Sequence, residues 1–120
     1  MTITNEQIKG AVKAAHEAID MKFGRDITIL DISGLSVMAD YFIIATANNT
    51  SQAQAIADAA EGALKNHGVT LNHAEGYRTS KWVLMDFGLI IIHIFTSEDR
   101  DFYRLEKVWG DAKVVTGDEL

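Results

Sequence analysis

In each half of residues 82–95, aliphatic positions alternate with positions of mixed character, among them the polar residues Asp86 and His93. This spacing is typical of β-strands that bury one face. Two β-prone runs, Trp82–Asp86 and Leu89–Phe95, flank the turn signal Phe87-Gly88. The stretch therefore predicts a β-hairpin with a two-residue turn.

The two faces of this predicted hairpin differ in chemistry, because successive side chains of a strand point to opposite sides of the sheet. The pairs expected across the ladder are Trp82 with His93, Leu84 with Ile91, and Asp86 with Leu89. One face is wholly aliphatic and carries Val83, Met85, Ile90, Ile92 and Ile94. The other face carries Trp82, Leu84, Asp86, Leu89, Ile91 and His93. The aliphatic face suits a core under helices, and the mixed face suits contact with another macromolecule.

Two amphipathic helices are predicted in the first half of the chain. Thr4 and Gln7 have the spacing of a capping box, and Gly24 is expected to end the first helix. Asn48–Ser51 can cap the second helix, and Gly68 is expected to end it. The apolar positions at helical spacing are Ile8, Ala11, Val12, Ala15 and Ile19 in the first helix, and Ala53, Ile56, Ala57, Ala60 and Leu64 in the second.

The remaining pattern predicts further strands and a third helix. Apolar residues before Asp31 indicate a short strand, and the run Tyr41–Thr46 is typical of a strand that is buried on both faces. A third helix is expected after Ser97, with an apolar stripe made by Phe102, Leu105, Val108 and Trp109. The expected fold is a single α/β domain over residues 1–110, with a mixed β-sheet packed with helices, and residues 111–120 are expected to form a short C-terminal tail.

Composition narrows the possible partners. Of 120 residues, 48% are hydrophobic and 23% are charged, as in an ordered globular protein. Eleven basic and seventeen acidic residues give a net charge of -6, which disfavours tight non-specific nucleic-acid binding and favours a basic protein or a neutral small ligand. The chain has no cysteine, so disulfides and thiolate zinc sites are excluded. We expect a cytoplasmic protein without a leader or a membrane span.

Candidate catalytic chemistry is sparse. Asp86–Gly88 reads Asp-Phe-Gly, like a kinase magnesium motif, but the other kinase motifs are missing, so we interpret it as a hairpin turn. Asp31, Asp40 and Asp86 lie at or near strand ends, where three carboxylates can hold two metal ions for phosphoryl transfer. No carboxylate pair has short spacing within a strand, so we favour turn roles for these residues. We expect no catalytic residues, no metal and no cofactor.

Several segments together resemble one known family. These segments are Ala39–Ile44, Glu75-Gly76, Trp82–Gly88, His93–Phe95 and Arg100–Trp109. They are similar to those of the Iojap-like family of ribosomal silencing factors, in its bacterial form, and the resemblance runs from about Ile8 to Gly110. This chain departs from the family at Ala45 and Ala47, where members often have a cysteine and a glycine, and at Leu89, where many members are polar.

The resemblance implies a binding function rather than catalysis. Such proteins dock on the large ribosomal subunit against its L-fourteen protein, prevent the small subunit from joining, and repress translation when nutrients are limiting. The family fold resembles that of nucleotidyltransferases, but the catalytic motif of that superfamily is missing here.

The mixed hairpin face is the expected docking surface. We expect Trp82, Leu84, Asp86, Leu89, Ile91 and His93 to contact the partner, with Tyr77 and Arg78 at the rim. The free protein is expected to form a homodimer, since an exposed mixed face tends to pair with its own copy. Two alternatives stay open: a late assembly factor of the large subunit, and a metal-dependent nucleotidyltransferase that uses Asp31, Asp40 and Asp86.

Overall fold

The computed structural model describes residues 4–35, 37, 39–77, 82–96, 113–116 and 120. Its elements are α1 (Asn5–Met21), β1 (Arg25–Asp31), β2 (Tyr41–Ala47), α2 (Thr50–Asn66), β3 (His73–Glu75), β4 (Trp82–Asp86), β5 (Ile90–Thr96) and β6 (Lys113–Val115). The predicted third helix and its apolar stripe lie outside the described residues.

The strands form one mixed sheet in the order β3-β4-β5-β2-β1-β6. Strands β2 and β5 pair in parallel, whereas the other neighbours pair antiparallel. The predicted α/β fold with a mixed sheet is therefore confirmed. The strand β6 was not predicted: it lies within the expected tail and pairs with β1, with Val115 opposite Ile29.

Both helices cover the same face of the sheet. Thr4 and Gln7 form the predicted capping box of α1, and the Asn49 side chain caps α2. Their buried residues are those that the helical spacing predicted. These residues join the inner side chains of the sheet in one cluster, the helix-side core, which includes Ile43, Ala45, Val83, Met85, Ile90, Ile92 and Ile94.

The opposite face of the sheet has a second, smaller cluster, which we call the aromatic face. Its buried and half-buried members include Leu30, Phe42, Ile44, Trp82, Ile91 and Phe95. Strand alternation adds Leu84, Asp86 and His93 to the same side. The two predicted faces of the hairpin therefore lie on opposite sides of the sheet, as expected.

The predicted hairpin register was wrong by two residues. Trp82 lies opposite Phe95, and Asp86 lies opposite Ile91. The N–H of Phe87 donates to the Ile90 carbonyl at 2.9 Å, so the turn residues are Gly88-Leu89 rather than Phe87-Gly88. Gly88 has a φ of 87°, which suits the first central position of a type II′ turn. A shift of two residues leaves every side chain on its predicted face.

The two helices end with the same pair of hydrogen bonds but with different residues. In α2, Gly68 takes the left-handed position with a φ of 78°. In α1, Phe23 takes that position with a φ of 64°, and the predicted stop residue, Gly24, follows it. A left-handed conformation costs a non-glycine residue about 1–2 kcal/mol. Gly24 is needed for another reason, because a Cβ there would lie 2.5 Å from Ile19 Cγ2 and 3.1 Å from the Ile19 carbonyl oxygen.

Replacing Gly24 by alanine is expected to destabilise the fold. Ile19 is fully buried and the second clash is with backbone, so neither contact relaxes easily, and Gly24→Ala should lower the free energy of unfolding by about 1–3 kcal/mol. The matched control is Gly62→Ala within α2, where no atom lies within 4 Å of the added Cβ. That variant should gain up to ~1 kcal/mol from helix propensity. Urea unfolding of both variants measures the difference, and a stable Gly24→Ala protein would contradict the tight approach to Ile19.

Candidate functional site

Trp82 is the largest side chain of the aromatic face. Its Nε1–H donates a hydrogen bond to His93 Nδ1 at 3.1 Å. Its ring stacks on Phe95, with a centroid separation of 5.1 Å and an interplanar angle of 25°. The indole is half-buried, so the packed side is fixed while part of the ring remains accessible. A large aromatic ring held in one orientation is a common anchor of protein interfaces.

His93 lies beneath Trp82 and not at the surface. Only 4% of the residue is exposed. Its ring meets the Phe42 ring edge to face, with 4.8 Å between the ring centroids. Burial lowers the pKa of His93 to about 4, so the imidazole is neutral near pH 7. Because Nδ1 accepts from Trp82, the remaining proton is on Nε2, which has no hydrogen-bond partner in the described part of the chain.

The other predicted contact residues of the hairpin extend from Trp82 toward the hairpin tip. Leu84, Asp86 and Ile91 are half-buried on the aromatic face. Leu89 is 38% exposed at the hairpin tip. Asp86 has a structural role as well, because its Oδ1 accepts from the Gly88 N–H at 2.7 Å and holds the turn.

Strand β3 adds two polar side chains that the sequence did not indicate. His73 lies opposite Asp86, and Glu75 lies opposite Leu84. His73 Nε2 and Glu75 Oε1 are 3.1 Å apart, and both side chains are largely exposed. The hydrophobic pattern could not have placed them on the sheet, since a three-residue edge strand is too short to show a period.

Tyr77 does not lie beside Trp82. Its hydroxyl donates to Asp58 on α2, at 2.8 Å to Oδ1 and 3.0 Å to Oδ2. Its carbonyl accepts from the Gln54 side chain at 2.9 Å. Gly76 has a φ of 76°, so the chain leaves the line of β3 there and Tyr77 packs against the helix-side core. Arg78 lies outside the described residues.

The three candidate metal-binding acids are divided between two places. Asp31 and Asp40 line a cleft of about 310 Å³ together with Lys9 and Tyr41. Burial, and then the charges of Asp31 and Asp40, raise the pKa of Tyr41. Asp31 Oδ1 accepts from the N–H and hydroxyl of Ser33, which fits a turn role. Asp86 instead caps the hairpin turn, and the described residues contain no group of three or more His, Asp or Glu side chains suited to a metal ion.

Comparison with known proteins identifies relatives over most of this chain. The family described as ribosomal silencing factor during starvation matches residues 5–120. A Bacillus subtilis protein named ribosomal silencing factor RsfS is 39% identical over 107 residues, which cover 89% of this chain and 91% of that protein. In the described residues, no helix is long and apolar enough to cross a membrane.

Two solved structures share the fold. A crystal structure of a Chromobacterium violaceum protein has a TM-score of 0.79 at 35% identity and covers 83% of each chain. A crystal structure from Bacillus halodurans has a TM-score of 0.75 at 32% identity, and covers 88% of this chain and 95% of the other. By family match and by identity over most of its length, this chain belongs to the ribosomal silencing factor family.

Proposed function

We propose that this protein docks on the large ribosomal subunit through its aromatic face, against the L-fourteen protein of that subunit. The bound domain occupies the surface that the small subunit would bridge, so the subunits fail to join and translation is repressed under nutrient limitation. The mechanism is steric and needs no catalytic step. Family membership supports the ribosome as the partner.

The held indole of Trp82 is the observation that carries this proposal. Its hydrogen bond to His93 and its stacking on Phe95 restrain the ring before any partner arrives. A side chain that is already restrained loses little conformational entropy on binding. The unfavourable contribution to the binding free energy is therefore smaller. The apolar side chain of Leu84 lies on the same face, two residues along β4, and can exclude water from that side of the ring.

Charge supports a basic protein as the direct contact. The chain carries a net charge of -6, and the rim of the aromatic face includes Asp86 and Glu75. Opposite charge on the partner speeds encounter and disfavours wrong partners. The same charge opposes close approach to ribosomal RNA phosphates.

A late assembly factor would use the same docking surface, so a cellular measurement has to separate the two roles. Cells that lack the protein would accumulate incomplete large particles in sedimentation profiles if it acted in assembly. Under the silencing proposal, large subunits stay complete and the fraction of joined ribosomes rises during nutrient limitation. A nucleotidyltransferase has less support, because Asp86 lies apart from Asp31 and Asp40.

Truncation of the anchor should weaken docking while the fold persists. Trp82→Ala is expected to cost about 2 kcal/mol of binding free energy, which is roughly a thirtyfold rise in Kd for large subunits. Co-sedimentation with separated large and small subunits measures this. Asn66→Ala is the control, since Asn66 is exposed at the end of α2, which covers the other face of the sheet, and this variant should bind as wild type. Unchanged binding by Trp82→Ala would remove Trp82 from the interface.

The buried His93 should make the fold sensitive to mild acid. The unfolded chain protonates this imidazole below its ordinary pKa of about 6.5, whereas the folded state resists until about pH 4. Stability from this residue is therefore complete above pH 6.5 and falls by on the order of 3 kcal/mol as the pH drops to 4. Urea unfolding at pH 7 and pH 5 should show a smaller loss for His93→Gln than for wild type. Equal losses would contradict a neutral buried His93.

Self-association should compete with docking. If the aromatic face pairs with its own copy in the free protein, equilibrium sedimentation will show a homodimer at micromolar concentration. Purified L-fourteen protein should dissociate this dimer, and Trp82→Ala should weaken both contacts. A wild-type monomer at high micromolar concentration would contradict the proposed dimer.

A further inference from the structure

Helix α1 ends at an exposed apolar corner that the docking face does not include. Met21 is 76% exposed and Phe23 is 79% exposed. Phe23 also has a φ of 64°, a conformation that is unfavourable for a bulky residue and normally occupied by glycine. We call residues 20–26 the Phe23 corner. An exposed aromatic side chain in a strained conformation contributes nothing evident to the fold.

The end of α2 provides an internal comparison. It closes with the same two hydrogen bonds, but with Gly68 in the left-handed position and Lys65 in the last turn. The last turn of α1 has no basic residue and carries Asp20, whose charge opposes the helix dipole. The end of α2 thus has residues that stabilise it, Gly68 and Lys65. The end of α1 has Phe23 and Asp20, which are both unfavourable there. Two destabilising residues close together at an exposed position indicate a binding role.

The corner is held rigidly, so its side chains are presented in a fixed direction. The Gln52 side chain donates to the carbonyl of Lys22 at 3.2 Å and to that of Phe23 at 3.1 Å. The same side chain accepts from the Asn48 N–H at 2.6 Å. One glutamine therefore ties the end of α1 to the start of α2.

The corner also lies at the same end of the sheet as Trp82. Arg25 pairs with Thr46, Thr46 with Phe95, and Phe95 with Trp82. This row crosses three inter-strand spacings, or about 14 Å. A standard interface buries about 800 Å² on each partner and is therefore roughly 30 Å across. One docked partner can reach both features.

We propose that Met21 and Phe23 form a second docking element, which inserts into an apolar pocket with a basic rim on a protein of the large ribosomal subunit. This inference rests on the proposed function and adds a contact to it. The exposed charges around the corner are acidic Glu17, Asp20 and Asp26 and basic Lys22 and Arg25. Their balance and the chain's net charge of -6 favour a basic protein over the phosphates of RNA.

A stability measurement and a binding measurement with opposite signs test this proposal. Phe23→Gly removes the left-handed strain and should raise Tm by about 2–5 °C. The same variant should weaken co-sedimentation with large subunits at least about fivefold. A purely structural role for Phe23 would lower stability and leave the affinity of the folded protein unchanged, so a fall in Tm would overturn the proposal.

A charge reversal separates the protein pocket from RNA. Asp20→Lys should also raise Tm, because it places a cation at the C-terminal end of α1. Binding to a basic protein pocket should weaken, whereas stacking of Phe23 on a ribosomal RNA base would strengthen as the local charge becomes positive. Tighter binding of Asp20→Lys would therefore overturn the proposed protein pocket.

Two controls keep this inference distinct from the docking proposal. Asn66→Ala changes an exposed side chain at the far end of α2, on the other face of the sheet, and should bind as wild type. If Trp82→Ala weakens binding while Phe23→Gly binds as wild type, only the second contact is wrong. If the wild-type protein fails to co-sediment with large subunits, the docking proposal and this one both fall.

Discussion

The parallel pairing of β2 with β5 is the constraint on which the rest of the structure depends. All seven residues of β2 are buried, and seven pairs join it to β5. A strand buried on both faces cannot carry ionised side chains without partners, so β2 has apolar side chains apart from one tyrosine and one threonine. Acids therefore occur only where the strand begins, at Asp40. This burial leaves no place for a second acid within the strand, which is the arrangement that two-metal chemistry would need.

The pairing of β2 with β5 also gives the two faces of the sheet different surroundings. On the helix side, Ile43 and Ala45 meet the inner faces of α1 and α2 in the large core. On the other side, Phe42 lies next to His93, and His93 supports Trp82. Burying the imidazole costs hydration and leaves its Nε2 without a partner among the described residues. The hydrogen bond from the indole to this imidazole holds Trp82 in place, so the proposed docking surface depends on a polar group inside the protein.

Local signals made the helices predictable. The capping residues and the apolar spacing of α1 and α2 depend on neighbours within a few positions. The structure has the predicted caps and the predicted buried positions. The faces of the hairpin were also predictable, since a period of two survives a register error of two residues. The register itself was not, because it depends on the φ of Gly88. The position of Tyr77 was missed for a similar reason, since the turn at Gly76 and the contact with Asp58 are tertiary. The strand β6 is short, and its pairing with β1 joins segments distant along the chain.

The proposed steric mechanism would place a demand on the fold that an enzyme site does not. A blocking domain must keep its shape under contact, so its docking elements have to belong to one rigid body. The row from Arg25 to Trp82 meets this demand, because paired strands link it from the corner at α1 to the aromatic face. The amide of Gln52 then fixes the corner to α2, which packs on the same sheet. Two contacts on one rigid body cannot adjust independently, so a partner must match both positions at once. In the proposed docking, selectivity for a single site on the ribosome would come from the spacing of two modest contacts rather than from one strong one.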